Sequence, residues 1–241
     1  MKLIINADDC GLSKSISDGI ILGIREGYIT STSIMANMTW AEYAIQKALE
    51  YNIDCIGLHI NLTVGKPIIT NDNLINNNGQ FYYNKEQIEN PKLTYQDAYN
   101  EIMAQVNVIS NYSDGKLKID HLDTHHHLMD NPNIKQAIVD ISQKLNLPIR
   151  KYDNIQNIKC PDFLYKDFTI NNVSIDSIKQ MIEKYKNDNV VVELMTHPGL
   201  IDEYTKTVTS YLNREKELLV LKESKELGLF EEIDLVSFQQ L

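Results

Sequence analysis

Short apolar runs with strand character alternate with amphipathic stretches of helical period along this chain, and that alternation restricts the fold more than any single motif. Residues 3–7 read as a buried strand. Ser15-Ile16-Ser17-Asp18 has capping-box spacing, and Ile16, Ile20, Ile21 and Ile24 form the inner face of the helix it opens. Gly19, Gly23 and Gly27 recur every four residues there, which predicts close packing, with Gly27 ending the helix. Further strand patterns cover residues 32–36, 55–61, 119–124, 148–151, 190–195 and 229–236. Helical patterns cover 40–50, 94–110, 133–145, 175–185 and 208–227. About seven strand-then-helix units in 241 residues favour a closed or nearly closed parallel barrel over an open doubly wound sheet. Neither GxGxxG nor GxxxxGK[ST] occurs, which disfavours the nucleotide-binding open sheets. The chain reads as one domain over residues 1–241, interrupted at about 63–93 by an Asn-rich, turn-rich segment that reads as a long functional loop.

Acids outnumber bases 33 to 23, a net charge of −10, so no cationic field is available to hold nucleic acid. Cys10, Cys55 and Cys160 are odd in number, widely spaced and without CxxC, which favours neither disulfides nor a thiolate zinc site and fits a reducing cytoplasm. No apolar stretch approaches a membrane span and no export signal is visible.

The six histidines are unevenly spread: four fall within residues 121–127, and the others are His59 and His197. Asp8-Asp9, His59, His125 and His197 each sit near the carboxyl end of a strand pattern, the edge at which α/β folds assemble sites from several loops. Paired carboxylates suit a division of labour, in which one binds a cation and its neighbour accepts a proton from water. In Gly57-Leu58-His59-Ile60-Asn61-Leu62, period two puts His59 and Asn61 on one face. If the strand continues through His121-Leu122-Asp123-Thr124-His125-His126-His127, the same period groups His121, Asp123, His125 and His127 and turns His126 away. Neutral imidazoles ligate borderline cations, and Asp123 is placed to orient one of them through its second nitrogen. His197, before Pro198-Gly199, is a natural general acid for a departing amine.

Residues 5–13 (INADDCGLS), 57–63 (GLHINLT), 121–127 (HLDTHHH) and Thr196-His197-Pro198-Gly199 together resemble the YdjC-like carbohydrate deacetylase family, which includes chitooligosaccharide deacetylases. Gly65-Lys66-Pro67 and Arg150 also resemble family features. The resemblance covers almost the whole chain. It implies a distorted TIM-like (β/α) barrel, one divalent cation, and hydrolysis of an N-acetyl group on a sugar such as diacetylchitobiose. Carried over by position, Asp9, His59 and His125 would be the metal ligands, Asp8 the catalytic base and His197 the general acid. His127, Arg150 and Asp123 would support these groups or contact substrate. The resemblance implies Mg²⁺, whereas two imidazoles with one carboxylate also suit Zn²⁺ or another transition metal. The sequence departs from the family at Cys10, where Phe is usual, and at Met129, where His is frequent. The first sets a thiol beside the site and puts its resistance to oxidation in question. Rival readings are another metal-dependent hydrolase such as a phosphoesterase, and a non-catalytic sugar-binding protein on the same barrel. For assembly, a homodimer is the default.

Overall fold

The first strand, β1 (Lys2–Cys10), is buried beyond its first residue because it lies between neighbours on both edges. The chain continues through α1 (Lys14–Arg25), β2 (Ser31–Ile34), α2 (Ala41–Glu50), β3 (Ile56–Ile60), a short α3 (Lys85–Ile88) and α4 (Tyr95–Tyr112). It then forms β4 (Leu122–Thr124), α5 (Pro132–Leu145), β5 (Phe163–Tyr165), α6 (Ile175–Tyr185), β6 (Val191–Thr196), a short α7 (Thr205–Val208), α8 (Arg214–Glu226) and β7 (Asp234–Leu235). The structure is a computed structural model and describes residues 1–126, 128–152, 155 and 157–241.

Among the described residues the pairings of these strands are all parallel, in the order β4-β3-β2-β1-β6-β5, with β7 against the start of β1. The sheet curls into a half-barrel, so the expectation of a distorted TIM-like α/β barrel is met. Period two separates its faces. Leu3, Ile5 and Ala7 of β1, Leu58 and Ile60 of β3, and Val192 and Leu194 of β6 join the core packed under the helices. The intervening Asn6, Asp8, Ser33, His59, Asp123 and Glu193 are buried too, and they make the concave face polar.

Local sequence explains most boundaries. Ser13, two residues before the expected position, caps α1 by accepting the Ile16 N–H. The glycine spacing of α1 reflects contact: a Cβ at Gly19 would stand 2.7 Å from the Leu200 nitrogen, and one at Gly23 2.3 Å from Ile29 Cδ1. The 148–151 pattern is reduced to one bridge between Leu122 and Ile149, and that of 229–236 to the two residues of β7. The 208–227 pattern splits into α7 and α8. β5 escaped sequence reading because three residues are too few to display a period.

Candidate active site

Adjacent residues of a regular strand point to opposite faces, so Asp8 and Asp9 could not both enter one interior without a break. The β1–β2 register shifts between Ala7 and Cys10, and Asp9 has φ 68°, in the left-handed region. This irregularity re-aims Asp9, and both carboxylates end up buried with different partners. Asp8 is clamped by Arg150 (Oδ2 to Nη1 2.8 Å, Oδ1 to Nη2 2.7 Å) and accepts from Asn6 Nδ2 at 2.9 Å. Asp9 pairs through Oδ2 with Arg214 Nη2 at 2.6 Å, and its Oδ1 lies 3.3 Å from His59 Nε2 and 3.1 Å from His125 Nδ1. Burial opposes ionisation of Asp9, but Arg214 and the His125 imidazole outweigh it and hold the carboxyl well below its ordinary value.

The second nitrogen of His59 is fixed by Asp123, with Nδ1 2.8 Å from Oδ1. Asp123 itself accepts from Ser33 Oγ at 2.8 Å and Asn6 Nδ2 at 3.1 Å, and its Oδ2 lies 3.1 Å from Arg150 Nη2. Arg150 closes the network by donating from Nε to Glu193 at 2.8 Å. Burial disfavours charge on His59, yet Asp123 and Asp8 prevail and raise it to about 10. A cation at this position would therefore have to displace a proton.

The donor set fits such a cation. Asp9 Oδ1, His59 Nε2 and His125 Nδ1 lie within 4.8 Å of one another. Asp9 Oδ1 is buried and accepts no hydrogen bond among the described residues. The Asp123 bond leaves His59 Nε2 as the nitrogen open to a cation, the arrangement that orients metal-bound imidazoles.

His197 Nε2 stands 3.8 Å from Asp8 Oδ2, close to the clamped carboxylate. Burial lowers its pKa, and the opposing pull of Asp8 and Asp9 is insufficient. Its backbone N–H donates to Glu217, which also accepts from the Tyr211 hydroxyl. Asp8, Asp9, His59, His125, Arg150 and His197 line one cavity of about 1050 Å³, whose walls also include Tyr83, Lys135, Lys151, Tyr152, Phe163 and Lys166.

The structure brings Asp8, Asp9, His59, His125, His197 and Arg150 around this cavity, with Asp123 behind them. One histidine sits differently from its sequence reading and another only in part. His121 shares the face of Asp123, with Nε2 3.9 Å from Asp123 Oδ2, but is not part of the cavity lining: it bonds Asp120 at 2.6 Å and stacks on Phe238 with ring centroids 3.8 Å apart, in space that Gly57 provides by lacking a side chain. His126, whose φ is 60°, joins the cavity wall because β4 stops at Thr124 and the two-residue period no longer applies. His127 lies outside the described residues. Asn61 organises the following turn by accepting from the Thr63 and Val64 N–H groups. Cys10 is buried, and burial pushes its thiol up to about 12, so the thiolate needed for oxidation is suppressed. Sequence reading missed Arg214 and Glu217, one helical turn apart on the unremarkable charged helix α8. Only their burial, at 1% and 0% exposure, marks them.

Fold and site define an α/β half-barrel whose candidate active centre is assembled at the carboxyl ends of parallel strands. The chain belongs to the YdjC-like protein family, whose model matches residues 2–231. It is 33% identical to a carbohydrate deacetylase of Listeria monocytogenes serotype 4b over all of both chains. With a carbohydrate deacetylase of Oceanobacillus iheyensis it shares 34% identity, over 92% of this chain and 96% of that one. A crystal structure from Enterococcus faecalis, described as a candidate cellobiose-phosphate cleavage protein, superposes with a TM-score of 0.89 at 27% identity, covering 99% of this chain and 98% of that one. Among the described residues, no helix is long and apolar enough to cross a membrane.

Proposed function

We propose that this protein is a carbohydrate deacetylase that hydrolyses the N-acetyl group of an amino sugar or short N-acetylated oligosaccharide, diacetylchitobiose being the reference substrate. The observation that carries the reading is the meeting, in one cavity, of the Asp9–His59–His125 cluster with the Asp8 carboxylate and the His197 imidazole. Family membership and the names of the full-length relatives support it.

Asp9, His59 and His125 would hold one divalent cation: Mg²⁺ by family resemblance, or Zn²⁺ or another transition metal by ligand chemistry. When bound, it supplies Lewis-acid polarisation of the acetamide carbonyl and stabilisation of developing negative charge. Asp8, held in orientation by Arg150 and Asn6, accepts the proton of the attacking water. His197 donates a proton from Nε2 to the sugar nitrogen as the C–N bond breaks, and free amine and acetate leave. Asp123 keeps the His59 ring in register, and Arg150 ties Asp8, Asp123 and Glu193 into one rigid unit. His127 is assigned to substrate contact by resemblance alone.

Lys135, Lys151 and Lys166, against Asp130 and Asp162, line the outer cavity and favour one finer reading: the acetylated sugar carries an anionic group such as phosphate. The name of the E. faecalis neighbour points the same way. Acetate release from diacetylchitobiose and its phosphorylated form, with chelator and with metal add-back, tests both levels. Release that stops with chelator and returns with metal is expected, with a lower KM for the phosphorylated sugar. No acetate from either sugar overturns the reading.

A further inference from the structure

The structure assigns to Tyr83 the role of a stacking platform for the sugar ring next to the one that loses its acetyl group, making it a determinant of substrate length. This rests on the deacetylase reading. Tyr83 is 63% exposed and lines the same cavity as the Asp9–His59–His125 cluster. Contacting rings connect it to that cluster: its ring stands edge-on to His126, with centroids 5.4 Å apart, and the His126 ring lies 4.0 Å from that of His125. The Tyr83 face thus lies just beyond the reacting position, where a second pyranose would continue.

The segment that carries Tyr83 is anchored rather than loose. Leu74, Phe81 and Gln87 are buried, and Phe81 donates its N–H to the Gly65 carbonyl at 2.9 Å. Gln87 and Asn90 fasten the carbonyls of Leu74 and Asn73 at 3.0 and 2.7 Å. Asn84, immediately after Tyr83, is held at φ 43° and ψ −111°, a costly conformation that persists only where its surroundings impose it. An aromatic ring kept rigid and wet at a cavity wall gains by burying itself against an apolar surface. The C–H face of a pyranose provides one, with its partly positive hydrogens over the negative ring face. A cavity of about 1050 Å³ also reaches the upper end of the range for ligand pockets, roomy for a single sugar.

The test compares wild type, Tyr83→Ala and Tyr83→Phe on N-acetylglucosamine and diacetylchitobiose. Calorimetry with the fully deacetylated disaccharide runs in parallel. Tyr83→Ala should raise KM for the disaccharide about tenfold with kcat nearly unchanged, leave the monosaccharide unaffected, and weaken calorimetric binding about tenfold. Tyr83→Phe should behave as wild type. Equal losses on both sugars, an unchanged disaccharide KM, or disaccharide binding that is absent from wild type or unaltered by Tyr83→Ala would overturn the assignment. Wild-type binding that depends on Tyr83 without turnover of any sugar would instead remove the deacetylase reading and leave the platform standing. Where a sugar is not turned over, calorimetry decides alone.

Discussion

Exchanging Glu217 for glutamine should make the protein more stable, by a margin that grows as pH rises from 4.5 to about 7 and stays constant above that. Glu217 is fully buried between the His197 backbone and the Tyr211 hydroxyl. Burial raises its pKa from 4.5 to about 7, and the contacts with Tyr211, His197 and Arg214 offset only part of that effect. A carboxyl that holds its proton more tightly when folded contributes stability that is fully present below the unfolded value and lost as pH rises through the folded one. At about 1.4 kcal/mol per pH unit, the interval from 4.5 to about 7 corresponds to roughly 3 kcal/mol by pH 8. Glutamine keeps the shape, an acceptor for the His197 N–H and a donor for the tyrosine oxygen, and it cannot ionise. Urea denaturation of both proteins in chelator, at pH 5 and pH 8, reads the effect. Because His59 and the other groups titrate in both proteins, the difference between them isolates Glu217. Glu217→Gln should gain about 2–3 kcal/mol on wild type between the two pH values. A difference that does not change with pH would refute the reasoning.

Asp9→Asn should release the cation, whereas Asp8→Asn should retain it and lower turnover by orders of magnitude; metal analysis of the purified variants separates the two carboxylates, and the reverse pattern would exchange their roles. Since burial lowers the His197 pKa, the acid form is lost early as pH rises. The alkaline limb of kcat/KM should therefore fall below the ordinary imidazole value, and His197→Gln should abolish it in a pH–rate profile. Gly19→Ala places a methyl group 2.7 Å from backbone in the segment that follows His197. Thermal denaturation should register a loss of about 1–3 kcal/mol, with a fall in kcat greater than that of an alanine substitution at the exposed Leu22 on the same helix.

Strand–helix alternation was legible because each half-buried element repeats its apolar residues at its own period. The long elements α1, α4 and α5 therefore read clearly, and short ones such as β5 did not. The polar concave face was legible in part for the same reason: His59 and Asp123 fall on the inward positions of their strands. The period misled wherever the backbone left regular geometry. It turned His126 away from a cavity that it lines; His121 it set correctly on the face of Asp123, where Asp120 and Phe238 hold the ring outside the cavity lining.

Chemical inventory and order along the chain were determined by the sequence alone: two adjacent carboxylates, scarce imidazoles at strand ends, and motifs whose spacing identifies the family. Tertiary structure alone decided which partners each carboxylate meets. The irregularity at Asp9 sends neighbouring side chains to separate partners, and Arg150 and Arg214 arrive from 142 and 205 residues away. Local pattern carries no information about such encounters, because burial of an arginine or glutamate depends on a counter-charge that the fold brings to it and not on its neighbours in the chain.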